Sequence, residues 1–338
     1  MFYLIIFLLF LVSIKIYNYI FLKIQLNHFL KNNIAEYIVP LESKEPCEDF
    51  KYSIDENEIY SDKILETLKY YTLLPDNYDK NKKYPLLILL HGINDSPLNW
   101  EEKANLGKIY YSLLKKKQIV PMILVLPESG FNGKSWYTNW YKEQNKRYED
   151  FFILDLLDEL KVKYNVSSFG ITGFSMGGYG ALKLALKNLD KFISVSSFAG
   201  AINFPRLIFS ELKGLGLLRN LKINFLLTRS SNGKHFATVF GEEFKNVRKE
   251  NVYYILRKKS KEDFENLKKM KFLLSVGEKD NSDYTMLYQW EDVIWEMNKR
   301  KLSYQARIVK NEEHRWSYVE KELPAILKFH SDSFMEEK

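Results

Sequence analysis

Residues 171–182 read ITGFSMGGYGAL, and they contain a Gly-x-Ser-x-Gly pattern with Ser175 at its centre. This pattern is typical of a sharp turn between a strand and a helix, where the serine is held in a strained backbone conformation above the sheet. Its two glycines lack a Cβ atom, so the strand and the helix can approach each other closely. Residues 168–172 fit the strand, and residues 179–189 carry alanine and leucine at helical spacing. The segment therefore predicts a serine hydroxyl exposed at the start of a helix.

The rest of the chain alternates between short apolar runs and segments with helical spacing. The expected strands are residues 50–54, 67–74, 84–90, 122–126, 192–198, 271–276 and 304–309. The expected helices are residues 106–116, 148–164, 284–299 and 320–329. Unbroken apolar runs of strand length are typical of strands that are buried on both faces. This order predicts an α/β fold with a mostly parallel central sheet and helices on both faces.

Residues 201–251 interrupt this alternation, because glycine, lysine and aromatic residues are scattered through them without a clear period. They follow the strand that comes after Ser175, so an insertion here would lie over the top of the sheet. We expect residues 204–234 to form a cap. The alternative is a surface excursion without a functional role.

The composition is that of a globular protein: the chain has 338 residues, 46% of them hydrophobic. The net charge is +7, but the short lysine clusters follow apolar helical patterns, which favours solvated helix ends over a nucleic-acid-binding surface. No zinc-ligand spacing and no phosphate-binding glycine loop occurs in the sequence, so neither a metal nor an organic cofactor is expected. The only cysteine, Cys47, excludes an intrachain disulfide.

A serine hydroxyl becomes a nucleophile only beside a base, which a third group must orient. Of the five histidines, His314 follows the last expected strand in a polar loop, where it could reach Ser175. The acid is expected in the loop after the preceding strand, residues 277–283. Asp280 is the preferred acid and Asp283 the alternative, whereas Glu278 lies close to the strand end. The order serine, aspartate, histidine agrees with that of α/β-hydrolases.

Two backbone N–H groups are needed to stabilise the negative charge that develops on the substrate oxygen, an arrangement called the oxyanion hole. The first is expected from Met176, because it directly follows the nucleophile. The second is expected from Ile93, in the loop after the strand at residues 84–90. Gly92 would let the backbone pass close to a ligand. His91 is interpreted as a residue that packs or holds this loop, with a catalytic role as the alternative.

Several motifs together resemble the esterase D-like family of α/β-hydrolases, which includes S-formylglutathione hydrolases, feruloyl, acetyl-xylan and tributyrin-type esterases, and mycolyltransferases. They are LHG at 90–92 with Trp100, SWYTNW at 135–140, YEDF at 148–151, GFSMGGYGA at 173–181, VFG at 239–241, GEKD at 277–280 and HRW at 314–316. The resemblance spans roughly residues 65–329. One departure is the loop before His314, which carries two glutamates where the family usually has glycine.

The resemblance implies the same catalytic triad and oxyanion hole, and it adds three aromatic residues near the site that are expected to bind substrate: Trp136, Tyr137 and Trp140. The implied activity is hydrolysis of carboxylic esters through an acyl-enzyme on Ser175, without a cofactor. The substrate would be a small-molecule, glycan or lipid ester. One alternative is acyl transfer to sugar or lipid hydroxyls through the same intermediate. The other is an inactive hydrolase scaffold that serves in binding. No oligomeric state is predicted.

Residues 1–22 are the most apolar run of the chain, interrupted by Lys15, and have about the length that spans a bilayer. No small-residue cleavage site follows, which favours an uncleaved membrane anchor over a cleaved signal peptide, and both over a buried core helix. The lysines after this run favour a cytoplasmic body, whereas an apolar leader on a hydrolase is often a sign of export, so the side of the membrane stays open. Residues 23–49 are expected to be a linker, and residues 50–332 the α/β-hydrolase domain.

Overall fold

The computed structural model describes most of the chain between residue 51 and residue 336. The described ranges are 37–38, 51–203, 231–241, 243–280 and 286–336. Apart from Tyr37, these residues belong to one compact unit, Ile38–Lys338. Within these ranges, no helix is both long and apolar enough to cross a bilayer. Four predicted features lie outside the described residues and stay predictions: the leader, most of the linker, residues 204–230 of the cap, and Asp283.

The strands follow the predicted alternation. They are β1 (Tyr37–Ile38), β2 (Asp55–Ser61), β3 (Glu66–Leu73), β4 (Tyr84–Leu90), β5 (Ile123–Pro127), β6 (Val166–Gly173), β7 (Ser194–Phe198), β8 (Lys271–Gly277) and β9 (Gln305–Val309). Strands β2 to β9 form one sheet in the order β9-β8-β7-β6-β4-β5-β3-β2. The strands from β9 to β5 in this order pair in parallel, and β3 and β2 pair antiparallel at the other end. The predicted mostly parallel sheet is confirmed.

Helices alternate with these strands along the chain and pack against the sheet. They are α1 (Asn99–Glu102), α2 (Leu106–Lys115), α3 (Tyr148–Asp150), a π-helical segment (Phe151–Leu156), α4 (Leu157–Lys163), α5 (Met176–Lys187), α6 (Ser231–Phe240), α7 (Phe244–Glu250), α8 (Val252–Lys258), α9 (Lys261–Lys269), α10 (Met286–Lys299) and α11 (Trp316–Glu336). Helix α11 contacts α2 and packs on β7 and β8, whereas α5 packs on β6 and β7 and contacts α8, which contacts α10. The sheet is therefore covered by helices, as the α/β pattern predicts.

Three elements differ from the sequence expectations. The strand expected at residues 50–54 was wrong, because residues 51–54 precede the strand, which is Asp55–Ser61. Residues 231–250 were expected to be irregular, and they form helices α6 and α7. The last helix begins at Trp316 and runs to Glu336, past the expected end of the domain at residue 332.

His330 is a fully buried residue of α11 that faces β7. Its ring nitrogens lie 2.8 Å from the hydroxyl groups of both Ser194 and Ser196. Because Ser196 donates its own proton to Thr172, its oxygen accepts from Nε2 of His330, and Ser194 donates to Nδ1. Burial lowers the pKa of His330 to about 3, so the ring is neutral in the folded protein at pH 7.

This buried imidazole makes the fold sensitive to acid. Its folded pKa of about 3 lies below its ordinary value of 6.5. Between these two pH values the unfolded state therefore binds a proton that the folded state does not bind. Its stabilising contribution is therefore complete above pH 6.5 and is lost as the pH falls toward 3. We expect His330→Gln, whose amide can donate and accept hydrogen bonds but does not titrate, to reduce the pH slope of the unfolding free energy by about 1.4 kcal/mol per pH unit between pH 6 and 4. Urea unfolding at half-unit pH steps measures this slope, and an unchanged slope would contradict the assignment.

Candidate active site

Ser175 lies at the turn between β6 and α5, with φ of 56° and ψ of −117°. A positive φ is rare for a residue other than glycine. Here the backbone is held by the Ser175 N–H, which donates to the Phe198 carbonyl at 2.9 Å. A Cβ atom on Gly177 would lie 2.1 Å from the Leu90 carbonyl oxygen, so this position requires glycine. Met176 is the first residue of α5, and its N–H therefore has no acceptor within the helix. The predicted strained turn is confirmed.

The three predicted triad side chains meet at this turn. Nε2 of His314 lies 2.9 Å from Oγ of Ser175, and Nδ1 of His314 lies 2.7 Å from Oδ2 of Asp280. Asp280 is buried, with 3% of its surface exposed, and its carboxylate can only accept a hydrogen bond. Nδ1 therefore carries the proton, so Nε2 can accept the Ser175 proton. This is the arrangement that activates a serine hydroxyl.

The loop that carries His314 is fixed against the end of β8. Lys279 N–H donates to the Glu312 carbonyl at 2.9 Å, and a Cβ atom on Gly277 would lie 2.4 Å from that carbonyl oxygen. Glu278, which follows the strand directly, accepts from the Asn311 N–H at 3.0 Å. Its carboxylate thus binds the backbone of this loop. The imidazole itself stacks on Phe174, with ring centroids 4.8 Å apart.

Two hydrogen bonds hold the carbonyl group of the peptide between Gly92 and Ile93. The Gly92 carbonyl accepts from Nδ1 of His91 at 2.9 Å and from the Asp95 N–H at 3.3 Å. Nε2 of His91 accepts from the Ser129 N–H at 3.1 Å, and burial lowers the pKa of His91 to about 4, which keeps the ring neutral. Because a peptide unit is planar, fixing the carbonyl also fixes the N–H of Ile93 that points the opposite way. The geometry agrees with the interpretation of His91 as a loop-holding residue.

The three aromatic residues expected to bind substrate are buried. The ring of Trp136 meets Phe240 edge-on, with centroids 5.6 Å apart. The Tyr137 hydroxyl donates to the His91 carbonyl at 2.8 Å. Nε1 of Trp140 donates to the Ser135 carbonyl at 3.0 Å. Their contact with substrate stays a prediction. The structure shows that Tyr137 and Trp140 each donate a hydrogen bond to a backbone carbonyl group.

Sequence reasoning missed Asp95 as part of this site. Nε1 of Trp316 lies 3.3 Å from both carboxylate oxygens of Asp95, and the Lys103 ammonium group lies 3.3 Å from one of them. A Cβ atom on Gly92 would lie 2.6 Å from Asp95 Oδ2 and 3.6 Å from the Ser175 Cβ, which places the carboxylate close to the nucleophile. Asp95 therefore joins the loop of Ile93 to the first residue of α11. The HRW motif was the available signal, because its tryptophan lies two residues beyond the base.

Known proteins match this chain in fold and in part of the sequence. A stretch of 141 residues is 33% identical to Esterase Rv1288 of Mycobacterium tuberculosis and covers 40% of this chain and 29% of that protein. A stretch of 76 residues is 40% identical to S-formylglutathione hydrolase of Arabidopsis thaliana and covers 21% of this chain and 27% of that protein. The chain thus matches less than a third of the length of these relatives. A solved ferulic acid esterase superposes with a TM-score of 0.67 at 21% identity, covering 84% of this chain and all of the other.

The fold and the family are shown by different comparisons. The structural likeness covers 84% of the chain and supports the α/β-hydrolase fold, but at 21% identity it shows the fold alone. The family model described as "Putative esterase" matches residues 61–330, which is most of the chain and includes every residue of the site described above. On that match, the chain belongs to the esterase family.

Proposed function

We propose that this chain is a serine hydrolase that cleaves carboxylic esters through an acyl-enzyme on Ser175. The observation that carries the proposal is the continuous pair of hydrogen bonds through His314, 2.9 Å to the Ser175 hydroxyl and 2.7 Å to the Asp280 carboxylate. Membership in the esterase family supports ester hydrolysis as the reaction class. An inactive binding scaffold has no need of a strained serine aligned with an oriented base, so this geometry favours an enzyme.

The first half of the proposed reaction forms the acyl-enzyme. Oγ of Ser175 attacks the carbonyl carbon of the ester, and Nε2 of His314 takes the hydroxyl proton. The N–H groups of Ile93 and Met176 stabilise the negative charge on the former carbonyl oxygen. The tetrahedral intermediate then collapses, the bond from the acyl carbon to the alcohol oxygen breaks, and the alcohol leaves with the proton from Nε2.

The second half releases the acid. Water gives a proton to Nε2 of His314 as its oxygen attacks the acyl carbon, and the bond to Oγ of Ser175 then breaks. The carboxylic acid leaves, and the proton on Nε2 returns to the serine. Asp280 accepts a hydrogen bond from Nδ1 throughout, so it favours the imidazolium that forms in both halves.

Labelling with a fluorophosphonate probe tests this proposal. We expect one phosphonyl group per chain, located by peptide mass spectrometry on Ser175, and we expect p-nitrophenyl acetate to slow the labelling by competition. Folded protein that hydrolyses no ester and takes up no label would refute the proposal. Heat-unfolded protein is the control, since it keeps the serine but loses the alignment with His314.

A substrate panel then narrows the ester class. Because the matched relatives include an S-formylglutathione hydrolase, and a ferulic acid esterase shares the fold, the panel contains S-formylglutathione, a feruloyl ester and p-nitrophenyl esters of increasing acyl length. Each assay is run with and without added alcohols and sugars. Release of free acid in proportion to the alcohol or thiol supports hydrolysis, whereas accumulation of a new ester identifies acyl transfer.

A further inference from the structure

Lys183 is a fully buried cation on α5, the helix that begins at the nucleophile. Its ammonium group lies 2.9 Å from the Tyr137 carbonyl, 2.7 Å from Oγ1 of Thr138 and 2.6 Å from Oε2 of Glu149. A lysine has three N–H donors, and these three acceptors use all of them. A carboxylate oxygen of Glu250 lies 3.4 Å away. None of these contacts is used by the triad.

The charge of Lys183 is balanced within the same cluster. Lys187, one turn further along α5, lies 2.7 Å from Glu149 and 3.2 Å from Glu250, so two ammonium groups face two carboxylates. Burial alone would raise the pKa of Glu149, but the two lysines hold it below its ordinary value. Buried ion pairs add little stability over well-packed apolar side chains. The effect of Lys183 on the position of the groups that it binds is therefore of more interest than its effect on stability.

The segment that Lys183 binds is a strained turn. Trp136 and Tyr137 have consecutive positive φ angles of 59° and 50°, which aromatic residues rarely adopt. Such a backbone conformation is strained, and it persists only where the surrounding structure holds it. The Thr138 hydroxyl donates to the Trp136 carbonyl at 2.8 Å while its oxygen accepts from Lys183. Lys183 thus holds both the Tyr137 carbonyl and the Thr138 side chain that closes this turn.

The turn sets the position of the Tyr137 hydroxyl. A Cβ atom on Gly180 would lie 2.5 Å from the Tyr137 ring, so the ring packs directly on the backbone of α5. From there the hydroxyl donates to the His91 carbonyl at 2.8 Å. His91 directly precedes the peptide between Gly92 and Ile93. Two hydrogen bonds, joined through the covalent frame of Tyr137, therefore connect a buried ammonium group to the proposed oxyanion-hole loop.

We propose that Lys183 is a positioning residue for ester hydrolysis, which holds the Trp136–Thr138 turn so that the Tyr137 hydroxyl fixes the oxyanion-hole loop. The inference rests on the proposed hydrolase activity and deepens it. Losing one oxyanion donor costs on the order of 100- to 1,000-fold in kcat, and a displaced donor costs a part of that. Substrate binding in the ground state does not use this donor fully, so KM changes little.

The test compares three variants of a wild-type protein shown to hydrolyse p-nitrophenyl acetate. We expect Lys183→Met to lower kcat about 10- to 100-fold with KM within about threefold. Tyr137→Phe, which removes one oxygen, is expected to lower kcat about tenfold. Lys187→Met is the matched control, because its recorded polar contacts in the described part of the chain are with the same two glutamates and not with the turn. Its kcat is expected to stay within about twofold of wild type.

Two further measurements separate positioning from stability. The inhibition constant of a phenylboronic acid, whose tetrahedral adduct resembles the transition state, is expected to rise in Lys183→Met and Tyr137→Phe by about the factor by which kcat falls. The double variant is expected to lose little more than Lys183→Met alone, since both act through one hydroxyl. If Tyr137→Phe keeps wild-type kcat, or if Lys187→Met loses as much as Lys183→Met, the positioning role is overturned. A wild-type protein without esterase activity would refute the proposed function instead.

Discussion

Replacing Ser175 by alanine is expected to lower kcat for p-nitrophenyl acetate about 10,000- to 1,000,000-fold. The change removes only the hydroxyl that His314 approaches at 2.9 Å, so the acyl-enzyme can no longer form. Any remaining turnover would come from water attacking an ester held in the oxyanion hole. The expected loss of fluorophosphonate labelling is complete, because the labelled atom is gone.

The fold is expected to survive this substitution. Alanine keeps the Cβ atom, and the strained backbone at φ of 56° is held by the Ser175 N–H bond to Phe198, which does not involve the side chain. The melting temperature of Ser175→Ala should therefore stay within a few degrees of wild type. Ser112→Ala, a serine replacement on α2, is the control and should keep full activity. Wild-type activity in folded Ser175→Ala would exclude Ser175 as the nucleophile.

The sequence predicted the active site because short local motifs contain the residues that the proposed reaction needs. The strained turn at Ser175 needs glycine two residues before it and two residues after it, and the buried strands β4 and β5 are continuous apolar runs. Loops at the carboxyl ends of parallel strands meet at one edge of the sheet, so the loops of His314 and Asp280 could be placed from strand order, with Asp283 left as the alternative acid. The structure brings both to Ser175 at hydrogen-bond distance.

What the sequence did not predict depends on contacts between distant segments. Strand β2 reads DENEIYS and lies at the sheet edge with much of its surface exposed, so it lacks the apolar alternation that identifies a strand. In the sequence, Lys183 is one lysine in an ordinary helical pattern. Because a lysine on a helix is usually solvated, its burial was not predicted. Only the fold shows that two glutamates and a strained turn converge on it.

Replacing Asp280 by asparagine is expected to lower kcat about 10,000-fold, the loss associated with the wrong imidazole tautomer. The asparagine amide can donate to Nδ1 of His314, and the ring proton then moves to Nε2. A protonated Nε2 faces Oγ of Ser175 and cannot accept its proton, although all three side chains keep their places. KM should change little, because the Asp280 carboxylate is hydrogen-bonded to Nδ1 of His314, the ring nitrogen that does not face Ser175.

The matched control is Asp283→Asn, since Asp283 is the other aspartate of the same loop and the alternative acid from the sequence. We expect it to keep kcat within about threefold of wild type, because the Asp280 carboxylate already occupies the position 2.7 Å from Nδ1 of His314. Activity of both variants is measured against p-nitrophenyl acetate at pH 7, beside their melting temperatures. A large loss in Asp283→Asn together with wild-type kcat in Asp280→Asn would reverse the assignment, because only the carboxylate that orients the imidazole can affect the tautomer.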